Sequence, residues 1–111
     1  VESRAYRVQF SRQALRDLDT LRKRNRVAHD RAVVAVAELE TAPLAGHPLS
    51  GSLRGCRSLE FSVKGSGQYR AVYIVLDDET VCVVFVVGTH ENLYDEARRR
   101  VDNVRRDPLG S

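Results

Sequence analysis

Sixteen of the eighteen cationic side chains in the sequence are arginine, and only Lys23 and Lys64 are lysine. A guanidinium carries a permanent charge on a planar fork of donors that matches a phosphate, so this bias points to an anionic partner. An arginine-leaning overall composition in the source organism would leave the same trace. The cations gather at Arg22-Lys23-Arg24-Arg26, at Arg54 and Arg57, and at Arg98-Arg99-Arg100. Such groups either grip phosphates without reading bases or are simply solvated surface. Other chemistries find little support. Cys56 and Cys82 have neither metal-ligand spacing nor a disulfide framework, and Cys82 lies inside the apolar run Val81 to Val87 as a small core filler. His29 and His47 have no partner at useful spacing, no Ser, His and Asp follow the logic of a triad, and there is no phosphate-binding glycine loop. No metal and no cofactor is expected.

The elements that must position any such chemistry are readable from periodicity. Tyr6 to Phe10 alternates apolar and polar residues like a half-buried strand. Ser11 then stands where a helix N-cap belongs, and Ala14, Leu15, Leu18 and Leu21 recur at helical spacing opposite Arg12, Arg16, Asp17, Asp19 and Arg22. The polar cluster at residues 23–26 breaks this helix, and Ala28, Ala32, Ala35, Val36 and Leu39 predict a second one, giving a helical hairpin. Pro43, Gly46, Pro48, Gly51 and Gly55 mark a connecting loop. Alternation resumes from Leu59 to Val63, Gly65-Ser66-Gly67 supplies a turn, and Tyr69 to Leu76 forms the second arm of a hairpin. After the polar turn Asp77-Asp78-Glu79, the continuously apolar Val81 to Val87 reads as a central strand covered on both faces. A short helix reaching about Arg106 and a frayed tail complete the chain. The expected fold is α+β, ordered β-α-α-β-β-β with a short C-terminal helix, in which the N-terminal helical hairpin packs on one face of a small, largely antiparallel sheet.

With 111 residues, 42% of them hydrophobic, the chain has material for one core, so a single domain over residues 1–111 is expected. No stretch approaches membrane-spanning length, and the N-terminus, with Glu2 and Arg4, lacks the apolar segment of a signal peptide, so no membrane partner and a cytoplasmic location are expected. The chain begins at Val1 and contains no Met. Removal of an initiator Met and excision from a longer protein are both open.

Four features in this order resemble the RelE/ParE toxin superfamily: Tyr6 to Phe10 followed by Ser11 and the Ala14-to-Leu21 stripe; Leu53-Arg54-Gly55; Gln68-Tyr69-Arg70-Ala71-Val72-Tyr73; and Val87-Gly88-Thr89-His90 leading to Tyr94. Each motif is weak alone, but together they span Tyr6 to about Arg100. The resemblance implies the toxin of a type II toxin–antitoxin system, partnered by a cognate antitoxin in a hetero-oligomer. Two activities diverge within the superfamily. The RelE-like branch is a ribosome-dependent endoribonuclease, an mRNA interferase that cleaves messenger RNA without a metal and inhibits translation. The ParE-like branch inhibits DNA gyrase by binding. The RelE-like branch is the favoured reading, with ribosome and messenger RNA as partners; the ParE-like branch and an inactive family member are the alternatives.

On the RelE-like reading the resemblance distributes roles. Cleavage by the ribose 2′-hydroxyl needs a proton acceptor, positive charge at the phosphate, and an acid for the departing 5′-oxygen. Arg70 matches the strand arginine that lies against the scissile phosphate, unless it is a strand arginine paired with a carboxylate such as Glu60. His90 falls at a position where some RNase members carry Arg and others use His, and a histidine there would protonate the leaving oxygen, or it simply closes a turn. Tyr94 matches a C-terminal tyrosine that stacks on a base or shapes the proton transfer, or it packs on the sheet beside Leu93. Lys64 stands near the lysines of the RNases as a general base or a charge clamp. The sequence departs from the pattern here: Glu60 and Ser62 occupy places where further basic residues would be expected, and the arginine expected near residue 90 is absent, so the mechanism would be weaker or differently divided. Arg54, Arg57, Arg22, Lys23, Arg98 and Arg99 are the expected contacts to ribosomal or message phosphates.

Overall fold

The computed structural model describes residues 5–89 and 91–110. Strand β1 (Arg7–Phe10) runs into helix α1 (Arg12–Arg24) through Ser11, whose hydroxyl accepts the Ala14 amide at 3.1 Å and satisfies one of the orphan donors of the first turn. Asn25 both ends α1 and starts α2 (Arg26–Ala37): its amide donates to the Leu21 carbonyl at 2.7 Å, while its side-chain oxygen accepts from the Ala28 amide at 3.1 Å. One polar residue therefore makes the bend of the hairpin. Beyond α2, the loop expected from its prolines and glycines holds a two-residue strand, β2 (His47–Pro48), and a single 3-10 turn at Gly51–Leu53. Strands β3 (Cys56–Val63), β4 (Gly67–Leu76) and β5 (Val81–Thr89) follow, then helix α3 (Leu93–Arg106).

The five strands form one sheet in the order β1-β5-β4-β3-β2, antiparallel except that β1 lies parallel to β5. Every residue from Val81 to Val87 is buried, as its unbroken apolar run predicts for a strand with no wet face. Two cores result. Leu18, Ala32, Val36 and Leu39 of the hairpin region pack on one face against Leu59, Phe61, Tyr73 and Val84. On the opposite face, Leu93, Ala97, Val101 and Val104 cover Val72, Ile74, Val83 and Phe85. Those four α3 residues recur at helical spacing beneath the arginine run, and α3 extends for 14 residues because two-faced strands need a second cover.

The β4–β5 ladder contains a bulge: Val72 pairs with Val86 and Tyr73 with Val84, leaving Phe85 as the extra residue. β1 stops at Phe10, opposite Val84, because α1 begins there. The β5 backbone beyond that point therefore lacks a strand on its β1 side, and side chains meet it instead. Arg100 donates to the Phe85 carbonyl at 2.8 Å, and Asp17 accepts the Val87 amide at 3.0 Å.

Candidate functional site

The α3 face of the sheet is apolar around Val72 and Ile74 and becomes polar toward the end of β4 that carries Arg70. There the cross-strand register places Glu60 of β3 beside Arg70, with Gly88 of β5 on the other side. Ser58 precedes Glu60 by two residues and so shares its face. The start of α3 brings Tyr94 over this patch.

The four polar side chains interlock. Arg70 keeps 18% of its side-chain surface exposed and is held at 3.0 Å by the Glu60 carboxylate. Its Nη1 donates to the Tyr94 hydroxyl at 2.6 Å, and the guanidinium carbon lies 5.5 Å from the centre of the Tyr94 ring. The Tyr94 hydroxyl in turn donates to Ser58 Oγ at 3.2 Å, and Ser58 is buried. Arg70 Nε is buried with no hydrogen-bond partner, alone in this among the described side chains. A charged donor left unsatisfied in a half-enclosed site is costly and is the kind of exception that calls for a functional explanation.

The structure thus brings together Arg70 and Tyr94 from positions 24 residues apart. It also realises the alternative reading of Arg70, since the Glu60 ion pair is formed. The two readings are compatible: a carboxylate that is 41% exposed orients the guanidinium without sealing it from solvent. Lys64 follows β3 in the turn to β4, exposed, four residues along the chain from Glu60 or about 13 Å at strand rise. It does not join the Arg70–Tyr94 cluster. His90 lies outside the described residues. Neither cysteine is a poised nucleophile; burial raises both thiols, that of Cys82 to about 11.

The remaining cations separate into two kinds. Arg22 and Lys23 share Asp19 at 2.7 and 3.2 Å on the exposed last turn of α1, Arg98 meets Asp95 at 2.7 Å, and Arg99 pairs with Glu96. These are weak, solvent-screened pairs that a phosphate can displace. Arg54 is exposed beside them in kind, although its carbonyl accepts from Arg105 at 2.7 Å. Arg57 and Arg100, by contrast, are committed to the fold. Arg57 donates to the carbonyls of Gly46 and Leu44 at 2.8 and 3.2 Å and pins the loop before β2. Arg100 grips Asp17 through both terminal nitrogens and Glu96 through Nε.

Sequence reasoning gave Glu60 only a structural part and passed over Ser58. The available signal was the alternation Ser58-Glu60-Ser62, three polar residues on the face where β4 carries Val72 and Ile74. A cleft of about 650 Å³ between the start of α1 and the C-terminal tail, and a smaller one of about 340 Å³ beside α3, are lined by neither Arg70 nor Tyr94. The Arg70–Tyr94 cluster lies outside both clefts, with Glu60 its most open side. Among the described residues, no three His, Cys, Asp or Glu side chains gather as a metal site requires, and no helix is long and apolar enough to cross a membrane.

A family model described as the ParE toxin of type II toxin–antitoxin system, parDE, matches residues 8–94. Among solved structures, the chain is similar to the toxin–antitoxin complex RelBE2 of Mycobacterium tuberculosis, at 30% identity over 80% of this chain and 95% of that one, with a TM-score of 0.66. It is similar to a mutant of the E. coli toxin RelE in the free state, at 28% identity over 87% and 98% of the two chains, with a TM-score of 0.67. A RelE mutant in complex with a peptide of the antitoxin RelB matches at 30% identity over 84% and 94%, with a TM-score of 0.52. No curated protein matches the sequence.

Proposed function

The chain belongs to the RelE/ParE superfamily of type II toxins, and from that premise we propose that it is a ribosome-dependent endoribonuclease acting on messenger RNA in the cytoplasm, restrained by a cognate antitoxin. The observation that carries this reading is the meeting of Arg70, Tyr94 and Glu60 on one face of the sheet. In the proposed reaction the ribose 2′-oxygen attacks phosphorus and the bond to the 5′-oxygen breaks, leaving a 2′,3′-cyclic phosphate and a 5′-hydroxyl. Arg70 binds the phosphate through its fork, and the phosphate draws the guanidinium from Glu60, a movement that also brings Nε, buried and unpartnered at rest, to an acceptor. The released Glu60 carboxylate takes the 2′-hydroxyl proton, and His90 supplies a proton to the departing oxygen. Tyr94 stacks on the base or steers the proton transfer. Lys64, on the neighbouring turn, adds charge for the message backbone, with Arg54, Arg22, Lys23, Arg98 and Arg99 available to ribosomal phosphates. The solved complexes of RelE-type toxins with antitoxin support an antitoxin partner here.

The family model, which is that of a ParE toxin, favours a second reading: inhibition of DNA gyrase by contact, with no proton transfer. Pulse labelling after induction separates the two. The nuclease reading expects amino-acid incorporation to fall first, transcripts to be cut at ribosome-occupied codons, and Arg70→Ala or His90→Ala to relieve the arrest. Early loss of thymidine incorporation with intact transcripts would overturn it in favour of gyrase. If both variants stay fully toxic, the assignment of these residues fails.

A further inference from the structure

The outer surface of α2 carries apolar residues that nothing in the fold covers. Val27 and Val34 are 68% and 58% exposed. Between them in sequence stand Asp30, with 62% of its side chain exposed, and Arg31, also exposed. Positions 27, 30, 31 and 34 fall within an arc of about 100° on a helix of 3.6 residues per turn, so they form one stripe. The core side of α2 is supplied by Ala28, Ala32, Ala35 and Val36, which leaves Val27, Asp30 and Val34 outside the core.

We propose that this stripe is a self-association surface whose partner is a second copy of the chain. The argument is its symmetry. If two α2 helices lie antiparallel about a twofold axis passing between Asp30 and Arg31, each Val27 faces the partner's Val34, and each Asp30 faces the partner's Arg31. The same four residues thus supply both halves of an isologous contact, two apolar pairs flanking two opposite-charge pairs. A parallel arrangement would set Asp30 against Asp30 and is disfavoured by like charge. Within the chain Asp30 accepts from Arg26 at 3.4 Å and from His29 at 2.9 Å, but its exposure leaves acceptor capacity facing outward. Arg31 rests against Phe61, its guanidinium carbon 6.0 Å from the ring centre, which limits its freedom while its edge stays open. A 12-residue helix about 18 Å long makes a small interface, so the dimer is weak, with a dissociation constant on the order of 10–100 μM.

Sedimentation velocity of the purified chain from low to high micromolar concentration tests this. The expected result is a concentration-dependent shift from monomer to dimer. Val34→Glu and Asp30→Arg should each weaken association by roughly tenfold or more. Combining Asp30→Arg with Arg31→Asp should restore it, because the swapped charges again face opposite signs across the axis. All three variants change exposed positions, and unchanged far-ultraviolet circular dichroism checks that they fold. A native chain that stays monomeric throughout, a dimer indifferent to Val34→Glu, or a double swap that fails to recover overturns the proposal. So does loss of antitoxin binding by these variants with no dimer present, which would give the stripe to the antitoxin.

Discussion

The carboxylate of Asp17 and the guanidinium of Arg100 form a two-pronged ion pair, at 2.7 and 3.0 Å, that joins α1 to α3 across 83 residues of sequence. Its position explains it. β1 is too short to accompany β5 to its end, and this pair takes over the unmatched Val87 amide and Phe85 carbonyl. Only 18% of the Asp17 side chain and 10% of the Arg100 side chain are exposed. Asp17→Ala leaves the Val87 amide without its acceptor and strips a nearly buried guanidinium of one of its two carboxylates, with only Glu96 and the Phe85 carbonyl remaining, so a loss of about 3 kcal/mol is expected. Asp95→Ala, which breaks the exposed pair with Arg98, should stay within about 0.5 kcal/mol of the native chain. Urea unfolding of the two variants measures the contrast, and equal midpoints would refute the role assigned to Asp17.

Arg70→Lys tests whether the geometry of the guanidinium matters beyond its charge. A lysine keeps the positive charge but cannot meet Glu60 and Tyr94 together while presenting a planar fork to a phosphate. On the nuclease reading, cleavage of message on the ribosome should slow about a hundredfold, the usual scale for losing one well-placed donor to developing charge. Rates within a few-fold of the native chain would show that a point charge suffices. Tyr94→Phe should cost stability as well, about 1 kcal/mol, because Arg70 Nη1 loses its acceptor and buried Ser58 its donor.

How far the sequence disclosed this architecture depended on the range of the interaction responsible. Ser11 and the apolar run of β5 act over a few residues, and each announced its element through spacing alone, whereas Asn25 showed only as part of a polar cluster between two helices. A helix reaching Arg106 was legible in the sequence, but its cover of the second face through Leu93, Ala97, Val101 and Val104 was not, because an apolar stripe does not say which face of a sheet it meets. The partners of those arginines were beyond reach, since nothing local says that Arg100 turns inward to Asp17 while Arg99 turns outward. At the site, residue type and family pattern pointed to Arg70 and Tyr94. Glu60 enters the proposed chemistry only through the cross-strand register that sets it opposite Arg70.

Acid should remove a contribution that α3 makes to stability. The Glu96 carboxyl is held below its ordinary value of 4.5, first by the hydrogen bond from Arg100, against a partial burial penalty, with the charges of Arg100 and Arg99 adding to it. A depressed carboxyl pKa stabilises the fold fully above the unfolded value, and the contribution disappears as the pH falls through the folded value. Melting temperatures of the native chain and of Glu96→Gln should therefore differ at neutral pH and converge below about 4.5. A gap that stays constant across this range would mean that the charge of Glu96 contributes nothing.

Gly46 should tolerate no side chain, and the damage should reach the candidate site. A Cβ there would stand 2.8 Å from both the Ser58 carbonyl and the Tyr73 hydroxyl. Neither can retreat. Ser58 belongs to β3, and the fully buried Tyr73 hydroxyl accepts the Gly46 amide at 2.9 Å and donates to the Pro43 carbonyl at 2.7 Å. Gly46→Ala must push the loop outward or β3 sideways, and a loss of about 2–3 kcal/mol is expected. Tyr73→Phe deletes the hydroxyl while leaving the ring packed, and should cost about 1–2 kcal/mol through the stranded amide and carbonyl. The variants diverge at the site, because Ser58 receives the Tyr94 hydroxyl. Displacement of β3 by Gly46→Ala should perturb the side-chain resonances of Tyr94 and Arg70, whereas Tyr73→Phe should leave them close to native. If Gly46→Ala is as stable as the native chain and leaves those resonances unmoved, this loop does not brace the strand that carries Ser58 and Glu60.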